Sequence, residues 1–242
     1  MINIAKRAIK YLSAPIVYQL KNKYLFLKYR KDSDPRSIEW NWDKINYNKI
    51  SILNLLIRKF TAPVYLEIGC DKNETFNSIP AVQKIGVDPK RGGTVRDFSN
   101  NFFSENQMLF DVIFIDGEHT YEQCREDIIN SLKFSRIGTW IVLHDLLPAD
   151  WFEHHVPRAR TNVPWTGNVW KVAFELIKTK GIEFKIVSVD FGVGVIKVTA
   201  KNVELFDRRQ ELVDKEFNWY HDNLNHLPIL DWDSFQNFLD QN

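Results

Sequence analysis

The sequence predicts an α/β fold: a doubly wound sheet of seven strands, parallel except for an antiparallel last strand, with helices on both faces. Short, β-branched apolar runs alternate with helical stretches from about residue 46 onward, and this alternation is typical of parallel strands joined by crossover helices. Several runs end directly in Gly or Asp, as strands do when they enter a loop. No internal repeat and no Gly/Ser-rich or Pro-rich linker divides the chain, so we expect one domain with terminal extensions.

The elements follow in order along the chain. The predicted strands are residues 64–68, 84–87, a weak strand near 94–95, 111–115, 139–143, 184–189 and 193–198. The predicted helices are residues 46–60, 100–106, 120–134, 169–180 and 203–225. Thr120 is a good N-cap for the third of these helices. Only residues 190–192 separate the last two strands, so we expect these two strands to be antiparallel neighbours.

The composition excludes several classes of protein. Hydrophobic residues make up 44% of the chain and charged residues 26%, which provides for a core and excludes an intrinsically disordered chain. No apolar run approaches the roughly 18–20 residues of a membrane-spanning helix, and no secretory signal is recognisable. The two cysteines exclude a disulfide framework and a four-thiolate zinc site. We therefore expect a cytoplasmic protein.

The charges are unevenly distributed, and we divide the chain into a basic, aromatic N-terminal extension (1–45), a main domain (46–200) and a C-terminal helical extension (201–242). Residues 1–31 contain eight Lys and Arg residues and no acid, interleaved with aromatic and aliphatic side chains. Such a segment can make a peripheral contact with an anionic membrane, or it can pack on the body or on a second subunit of a homo-oligomer. It contains no RNA-binding motif, so we expect no specific nucleic-acid partner.

Four acids follow predicted strands. Glu67, Asp88, Asp116 and Asp145 all fall at the carboxyl ends of strands in the main domain. In an open parallel sheet these ends meet at one edge, and ligands bind at that edge. The sequence therefore predicts an acidic ligand site there.

The residues at the first two strand ends indicate which ligand this site takes. Gly69 allows close approach of a ligand to the first turn, and Asp88, about 20 residues later, can accept both hydroxyls of a ribose. A dinucleotide would require GxGxxG, but residues 69–74 read GCDKNE, which places an acid and bulky side chains where a pyrophosphate needs bare amides. An adenosine that carries a cationic centre, as in S-adenosylmethionine, fits better.

Four segments in this order resemble the class I S-adenosylmethionine-dependent methyltransferases. They are residues 66–69 (LEIG), 87–89 (VDP), 110–122 (FDVIFIDGEHTYE) and 141–145 (IVLHD). Residues 165–171 and 190–196 are also similar to segments of a bacterial group associated with glycan or antibiotic biosynthesis, and a more distant resemblance is to the catechol O-methyltransferase type. The resemblance covers about residues 46–200 and implies a Rossmann-like methyltransferase fold with S-adenosylmethionine as the cofactor.

The resemblance also implies roles for single residues in cofactor binding. Glu67 and Gly69 would shape the pocket for the methionine part, and Thr75 would hydrogen-bond its carboxylate. Asp88 would hold the ribose, and Ser99 would contact the adenine.

Further positions bear on the acceptor side. Asp116, also part of the cofactor pocket, and Asp145 correspond to residues that hold Mg²⁺ in the metal-dependent members, and His119 corresponds to a lysine that acts as the base. His144 departs from the pattern because it replaces a metal carboxylate, and Mg²⁺ prefers oxygen ligands. Asn73 replaces a usual glycine, but Asn tolerates a left-handed backbone better than most residues.

The leading hypothesis is a methyltransferase that O-methylates a hydroxyl of a sugar, a glycan or a related small metabolite. Transfer from a sulfonium is an in-line displacement that needs an aligned acceptor and a base near neutral pKa. His119 and His144 are both candidates for the base, although His119 could instead cap a helix and His144 could bond a loop. The alternatives are a nicotinamide-dependent oxidoreductase and a non-catalytic nucleoside-binding module that docks on membrane or RNA.

Overall fold

A computed structural model describes residues 14–161 and 163–241 of the chain. The strands are β1 Val64–Ile68, β2 Gln83–Val87, β3 Val112–Ile115, β4 Trp140–Leu143, β5 Ile182–Val187, β6 Val193–Val198 and β7 Ile229–Leu230. The α-helices are α1 Ala14–Tyr29, α2 Lys49–Ile57, α3 Glu74–Ser78, α4 Ser99–Glu105, α5 Tyr121–Lys133, α6 Trp151–His154, α7 Lys171–Leu176, α8 Arg209–Leu212, α9 Phe217–Asn223 and α10 Trp232–Asp240.

The seven strands form one sheet in the order β2-β1-β3-β4-β6-β5-β7. Strands β1 to β4 run parallel, whereas β6 is antiparallel to both β4 and β5. The turn that joins β5 to β6 contains Asp190 and Phe191, both with positive φ, followed by Gly192. The predicted doubly wound sheet and its antiparallel strand are therefore confirmed.

The predicted elements differ from the structure in two places. The expected third strand is reduced to a single bridge between Val87 and Val95, and the seventh strand is instead β7, parallel to β5. The expected helix over residues 203–225 was wrong, because two short helices, α8 and α9, occupy this stretch. Leu212 and Phe217 are both fully buried, but five residues rotate a helix by roughly 140° beyond one turn, so one straight helix could not bury both.

Both faces of the sheet are covered by helices. Alternate side chains of β1 enter different clusters, with Leu66 on one side and Tyr65 on the other. Helix α5 packs on the first side through Ile128, and α2 and α10 pack on the second through Leu53 and Phe235. This double cover buries the central strands β3 and β4 throughout and leaves the carboxyl ends of the parallel strands as the open edge.

Helix α1 packs on the body only in part. Its Asn22 Oδ1 accepts a hydrogen bond of 2.9 Å from the backbone of Thr161, and the ring of Phe26 lies 6.1 Å from that of Trp151. Large apolar side chains of the helix nevertheless stay 42% to 63% exposed, namely Ile16, Tyr18, Leu20, Tyr24, Phe26 and Leu27. Within the part of the chain that the structure describes, no helix is both long and apolar enough to cross a bilayer.

Candidate active site

A cleft of about 1200 Å³ opens at the carboxyl edge of the parallel strands. Every residue that the sequence analysis singled out for the site lines this one cleft: Glu67, Gly69, Thr75, Asp88, Ser99, Asp116, His119, His144 and Asp145. The prediction that the strand-end acids share one edge is therefore correct. Three further charged residues, which the sequence analysis missed, contribute to the site and are described below.

The end of β1 brings a buried acid to the floor of the cleft. Glu67 is 1% exposed, and its Oε2 accepts a hydrogen bond of 2.5 Å from the hydroxyl of Tyr65. Burial raises the pKa of Glu67 to about 7, against the opposing effect of the Tyr65 hydrogen bond. Gly69 follows at φ +86°, where an added Cβ would lie 2.2 Å from the backbone oxygen of Asp116. A side chain at this position would therefore separate the first and third strand ends.

The end of β2 holds its acid in a fixed orientation. Oδ1 of Asp88 accepts hydrogen bonds from the backbone N–H groups of Lys90 (2.7 Å) and Arg91 (2.8 Å). Its Oδ2 accepts one from the N–H of Asp71 at 2.9 Å. Burial raises the pKa of Asp88, but these N–H groups outweigh it and hold the pKa below its ordinary value. The ionised carboxylate is thus oriented before any ligand arrives.

The turn before α3 has the conformation that the sequence requires. Asn73 adopts φ +65°, and its Oδ1 accepts a hydrogen bond of 2.6 Å from the backbone of Gly93. Asn is one of the few non-glycine residues that occupy this region readily. Thr75 then lies in the first turn of α3, 8% exposed, on the wall of the cleft.

A polar trio lies at the far wall, and only one of its members was predicted. Ser99 donates a hydrogen bond of 2.6 Å to Oδ1 of Asp127, and Gln123 donates to the same oxygen at 3.0 Å. Burial raises the pKa of Asp127 to about 6, although the bonds from Ser99 and Gln123 oppose the shift. Asp127 and Gln123 come from α5 and therefore carry no strand-end signal in the sequence.

The ends of β3 and β4 bring two aspartates to one histidine. Nδ1 of His144 lies 3.3 Å from Oδ1 of Asp116 and 3.1 Å from Oδ1 of Asp145, and its Nε2 lies 3.5 Å from Oδ2 of Asp190. Neither nitrogen makes an aligned hydrogen bond to a described residue. Burial lowers the pKa of His144, but the charges of Asp145 and Asp116 outweigh it and raise the pKa well above its ordinary value. The surrounding carboxylates therefore favour the protonated form of His144.

Asp145 is itself held in an uncommon backbone conformation. Its φ is +66°, a region that costs a non-glycine residue of order 1–3 kcal/mol and that recurs at functional sites. This turn points the Asp145 carboxylate at both histidines.

The imidazole of His119 lines the cleft, and its two nitrogens have different surroundings. Its Nδ1 lies 2.9 Å from the backbone oxygen of Trp165 and 2.9 Å from Oδ2 of Asp145, so this nitrogen carries the donated proton and Nε2 can accept one. The ring stacks on Trp165 with an interplanar angle of 5°. Burial lowers the pKa of His119, whereas the bond to Asp145 and its charge raise it, with a net increase. Trp151 and Trp170 are buried in the core and do not line the cleft.

Lys49 is the most informative residue that the sequence analysis missed. It begins α2, and its Nζ donates a hydrogen bond of 2.8 Å to Oδ2 of Asp116. Its backbone N–H donates to Oδ2 of Asp190 at 3.1 Å. Burial lowers the pKa of Lys49, but the charge of Asp116 outweighs this and raises the pKa. Nothing in its local sequence marks Lys49, because its partners are far away along the chain.

The acid cluster is the place where the described residues could hold a divalent metal. Asp116, His144 and Asp145 each offer an atom within 4.8 Å of the others, but the imidazole is a poor ligand for Mg²⁺. Oδ2 of Asp116 is already taken by the ammonium of Lys49 at 2.8 Å, so an ion in the cluster would use Oδ1, the oxygen that faces His144. Such an ion would lie at most roughly 7 Å from Nζ of Lys49, where the repulsion is about 5 kcal/mol at an effective dielectric constant of 20. With Lys49 in place, the cluster does not fit the metal.

Comparison with known proteins agrees with this fold. Residues 74–146 match a family model described as a methyltransferase domain, and no curated protein matches the sequence. The chain is similar to the cofactor-bound Rv0187 from MTB, with 15% identity, a TM-score of 0.50 and coverage of 74% of this chain and 90% of that one.

Two further solved structures are similar at lower scores. One is the SAH-bound methyltransferase PaMTH1 of Podospora anserina, with 16% identity, a TM-score of 0.48 and coverage of 78% of this chain and 98% of that one. The other is an O-methyltransferase of Bacillus cereus in complex with SAH, with 15% identity, a TM-score of 0.46 and coverage of 74% and 90%. Residues 74–146 thus match a methyltransferase domain, and the seven-stranded sheet built around them has a Rossmann-like methyltransferase fold.

Proposed function

We propose that this enzyme transfers the methyl group of S-adenosylmethionine to a hydroxyl oxygen of a small acceptor. The observation that carries the proposal is the shared cleft, in which Glu67 and Asp88 lie on the cofactor side and His119 lies beside Asp116 and Asp145 on the other. The first turn carries the acids Asp71 and Glu74, which both line the cleft, and their negative charge does not suit a pyrophosphate. An adenosine with a cationic centre suits this charge better than a dinucleotide does.

The cofactor is proposed to lie along the first two strand ends. Asp88 is oriented to accept the two ribose hydroxyls, and Ser99 with Asp127 provides polar partners for the adenine. Glu67 faces the sulfonium and amino groups, and Thr75 donates to the carboxylate. The backbone at Gly69 gives the methionine part room.

The proposed base is Nε2 of His119. The acceptor oxygen attacks the methyl carbon in line with the sulfur and loses its proton to Nε2. The C–S bond breaks with both electrons going to sulfur, which leaves S-adenosylhomocysteine. Asp145 stabilises the imidazolium that forms. His144 is surrounded by carboxylates and serves as a fixed positive charge.

The proposed acceptor is a sugar, a glycan or a related hydroxylated metabolite. The acceptor side is lined by carboxylates that can bind neighbouring hydroxyls. Trp165, whose ring stacks on His119, and Phe191 add aromatic surface to the same cleft. A carboxylate acceptor would have no proton for a base to remove and would add negative charge to this acidic site.

Calorimetry with S-adenosylmethionine, with NADH as the comparison ligand, tests the first part of the proposal. We expect the sulfonium cofactor to bind and NADH not to bind. Transfer of tritiated methyl groups to fractionated glycans and metabolites then identifies the acceptor. His119→Gln is expected to lower kcat by about 10²- to 10⁴-fold with cofactor affinity retained. No binding of S-adenosylmethionine at millimolar concentration would reject the proposal.

We also propose that α1 docks on an anionic membrane. The support is the set of exposed apolar side chains on this helix, together with the eight cations and no acid of residues 1–31. A vesicle of phosphatidylglycerol should bind the full chain and one of phosphatidylcholine should not. The double variant Leu20→Glu/Leu27→Glu should weaken binding by tenfold or more, since each buried leucine contributes about 1.5–3 kcal/mol. Val82→Glu, at a 94% exposed site on the body, should have no effect.

Two results would contradict this proposal. Binding of both vesicle types alike would remove the charge argument. A dimer in sedimentation that the same leucine variant dissociates, with no vesicle binding, would assign α1 to a second copy of the chain.

A further inference from the structure

The strand-end acids of the cleft create a need for positive charge. Asp116, Asp145 and Asp190 bring three carboxylates around His144. Carboxylates packed this closely repel one another, and burial strengthens that repulsion because the screening by water is lost. A protonated His144 can neutralise only one of these three carboxylates, so the site favours a further cation that is either bound or supplied by the chain itself.

Lys49 is placed to be that cation. Its ammonium contacts Oδ2 of Asp116 at 2.8 Å, on the opposite oxygen from the one that faces His144. Its own backbone N–H donates a hydrogen bond to Asp190. Both the side chain and the backbone of this first residue of α2 are therefore bound to the acid cluster. The side chain is 23% exposed and lines the cleft.

The ammonium also has unused donors. A lysine carries three N–H groups, and among the described contacts Nζ of Lys49 donates only to Asp116. The other two N–H groups of Lys49 have no partner among the described contacts. Lys49 lines the cleft and contacts the same carboxylate, that of Asp116, as His119 does. These two N–H groups are available to an oxygen that is bound there.

We propose that Lys49 is the resident cation of the acceptor site, taking the place that a divalent ion would need and donating a hydrogen bond to the acceptor oxygen during methyl transfer. The second half of this inference rests on the proposed function, whereas the first half does not. The lysine supplies a fixed charge next to the oxygen that develops negative charge as its proton moves to His119. No metal is then required for the reaction.

Electron paramagnetic resonance measures the binding of Mn²⁺ to the full chain. It tests, without any acceptor, whether Lys49 takes the place of a divalent ion. We expect wild type, Lys49→Arg and the surface control Lys44→Ala to bind no Mn²⁺ at millimolar concentration. Lys49→Ala and Lys49→Met should bind it, because removal of the ammonium leaves the carboxylates free. The double variant Lys49→Ala/Asp116→Asn should lose this binding again.

Each result decides the question. Binding of Mn²⁺ by the wild type as tightly as by Lys49→Ala would show that Lys49 does not occupy the ion's place, and it would overturn the inference. An absence of binding in both folded alanine and methionine variants would overturn it equally. Circular dichroism establishes that each variant is folded, and Lys49→Met keeps the apolar stem if the alanine variant is not.

Methyl transfer tests the second half. A chelator should leave the wild-type rate unchanged, and Lys49→Met should lower kcat by about 10²- to 10³-fold, as expected for the loss of one preorganised donor. Lys49→Arg should restore much of the rate, and the affinity for S-adenosylmethionine should not change in any variant. A rate that a chelator abolishes would contradict the role of Lys49. A failure of the cofactor to bind would instead reject the proposed function and leave the Mn²⁺ result interpretable.

Discussion

Replacement of Asp88 by Asn removes one charge from the proposed ribose site with little change in shape. In the wild type, Oδ1 accepts hydrogen bonds from the N–H groups of Lys90 and Arg91, and Oδ2 accepts one from Asp71. An asparagine whose oxygen faces Lys90 and Arg91 keeps those two bonds. It then turns its NH₂ group toward the N–H of Asp71, so that two donors face each other.

The size of the effect follows from these contacts. A hydrogen bond to a charged acceptor contributes about 1.5–3 kcal/mol, roughly twice or more the value for a neutral one. Loss of the ribose contact to Oδ2 should therefore weaken the binding of S-adenosylmethionine by about 10- to 150-fold, since 1.4 kcal/mol corresponds to tenfold. The lost bond from Asp71 should lower the free energy of unfolding by about 1–3 kcal/mol.

Calorimetry with S-adenosylmethionine and S-adenosylhomocysteine measures the first quantity, and urea unfolding measures the second. Both ligands carry the ribose, so both affinities should fall by a similar factor. Glu105→Gln, which removes an exposed carboxylate at the end of α4, should change neither quantity. Unchanged affinity in Asp88→Asn, with the expected loss of stability, would show that this carboxylate supports the loop and does not bind the ribose.

Three further predictions concern the same cleft. Because the folded-state pKa of Glu67 is about 7 and its ordinary value is 4.5, the folded state favours the protonated form. The contribution of Glu67 to the free energy of unfolding should be full below about pH 4.5 and lost as the pH rises through 7. Glu67→Gln should reduce this pH dependence of stability, as measured by urea unfolding at several pH values. Cofactor affinity should rise over the same range, and a flat affinity profile in the wild type would contradict the placement of Glu67 near a cation. Asp127→Ala should weaken S-adenosylmethionine binding by about tenfold through loss of the charged hydrogen bond with Ser99. Glu126→Gln, on the exposed side of α5, should leave the affinity unchanged. Equal calorimetric affinities of wild type and Asp127→Ala would show that Asp127 is not part of the cofactor site. Gly69→Ala places a Cβ 2.2 Å from a backbone oxygen at φ +86° and should cost about 3 kcal/mol or more of stability; a loss below about 1 kcal/mol in urea unfolding would show that the strand ends can separate.

Local pattern was sufficient for most of the sheet and for the residues at its carboxyl edge. β-Branched runs that end in an acid place that acid at the end of a strand, and parallel strands bring such ends together. The turn at Asp190 also followed from sequence, because two strands joined by so few residues must be antiparallel. Asp190 was nevertheless not recognised as part of the site, since only the antiparallel placement of β6 beside β4 carries it to His144.

Other features depend on contacts between distant parts of the chain. Lys49 lies 67 residues from Asp116 in sequence, and no local spacing relates them. The division of roles between His119 and His144 was open for the same reason. Carboxylates from three different strand ends surround His144. His119 instead contacts Asp145 closely through Nδ1, lies 3.9 Å from Asp116 through Nε2 and stacks on Trp165.

The sequence by itself determined the α/β class, the positions of β1 to β6 along the chain and the edge of the sheet at which the acids collect, because these depend on short-range periodicity and on the chirality and parallel pairing of strands. Only the tertiary structure decided which charges neutralise one another at that edge. Coulomb interactions depend on distances of a few ångströms in a partly buried environment, and such distances are set by how α2, α5 and the turn after β5 pack on the sheet.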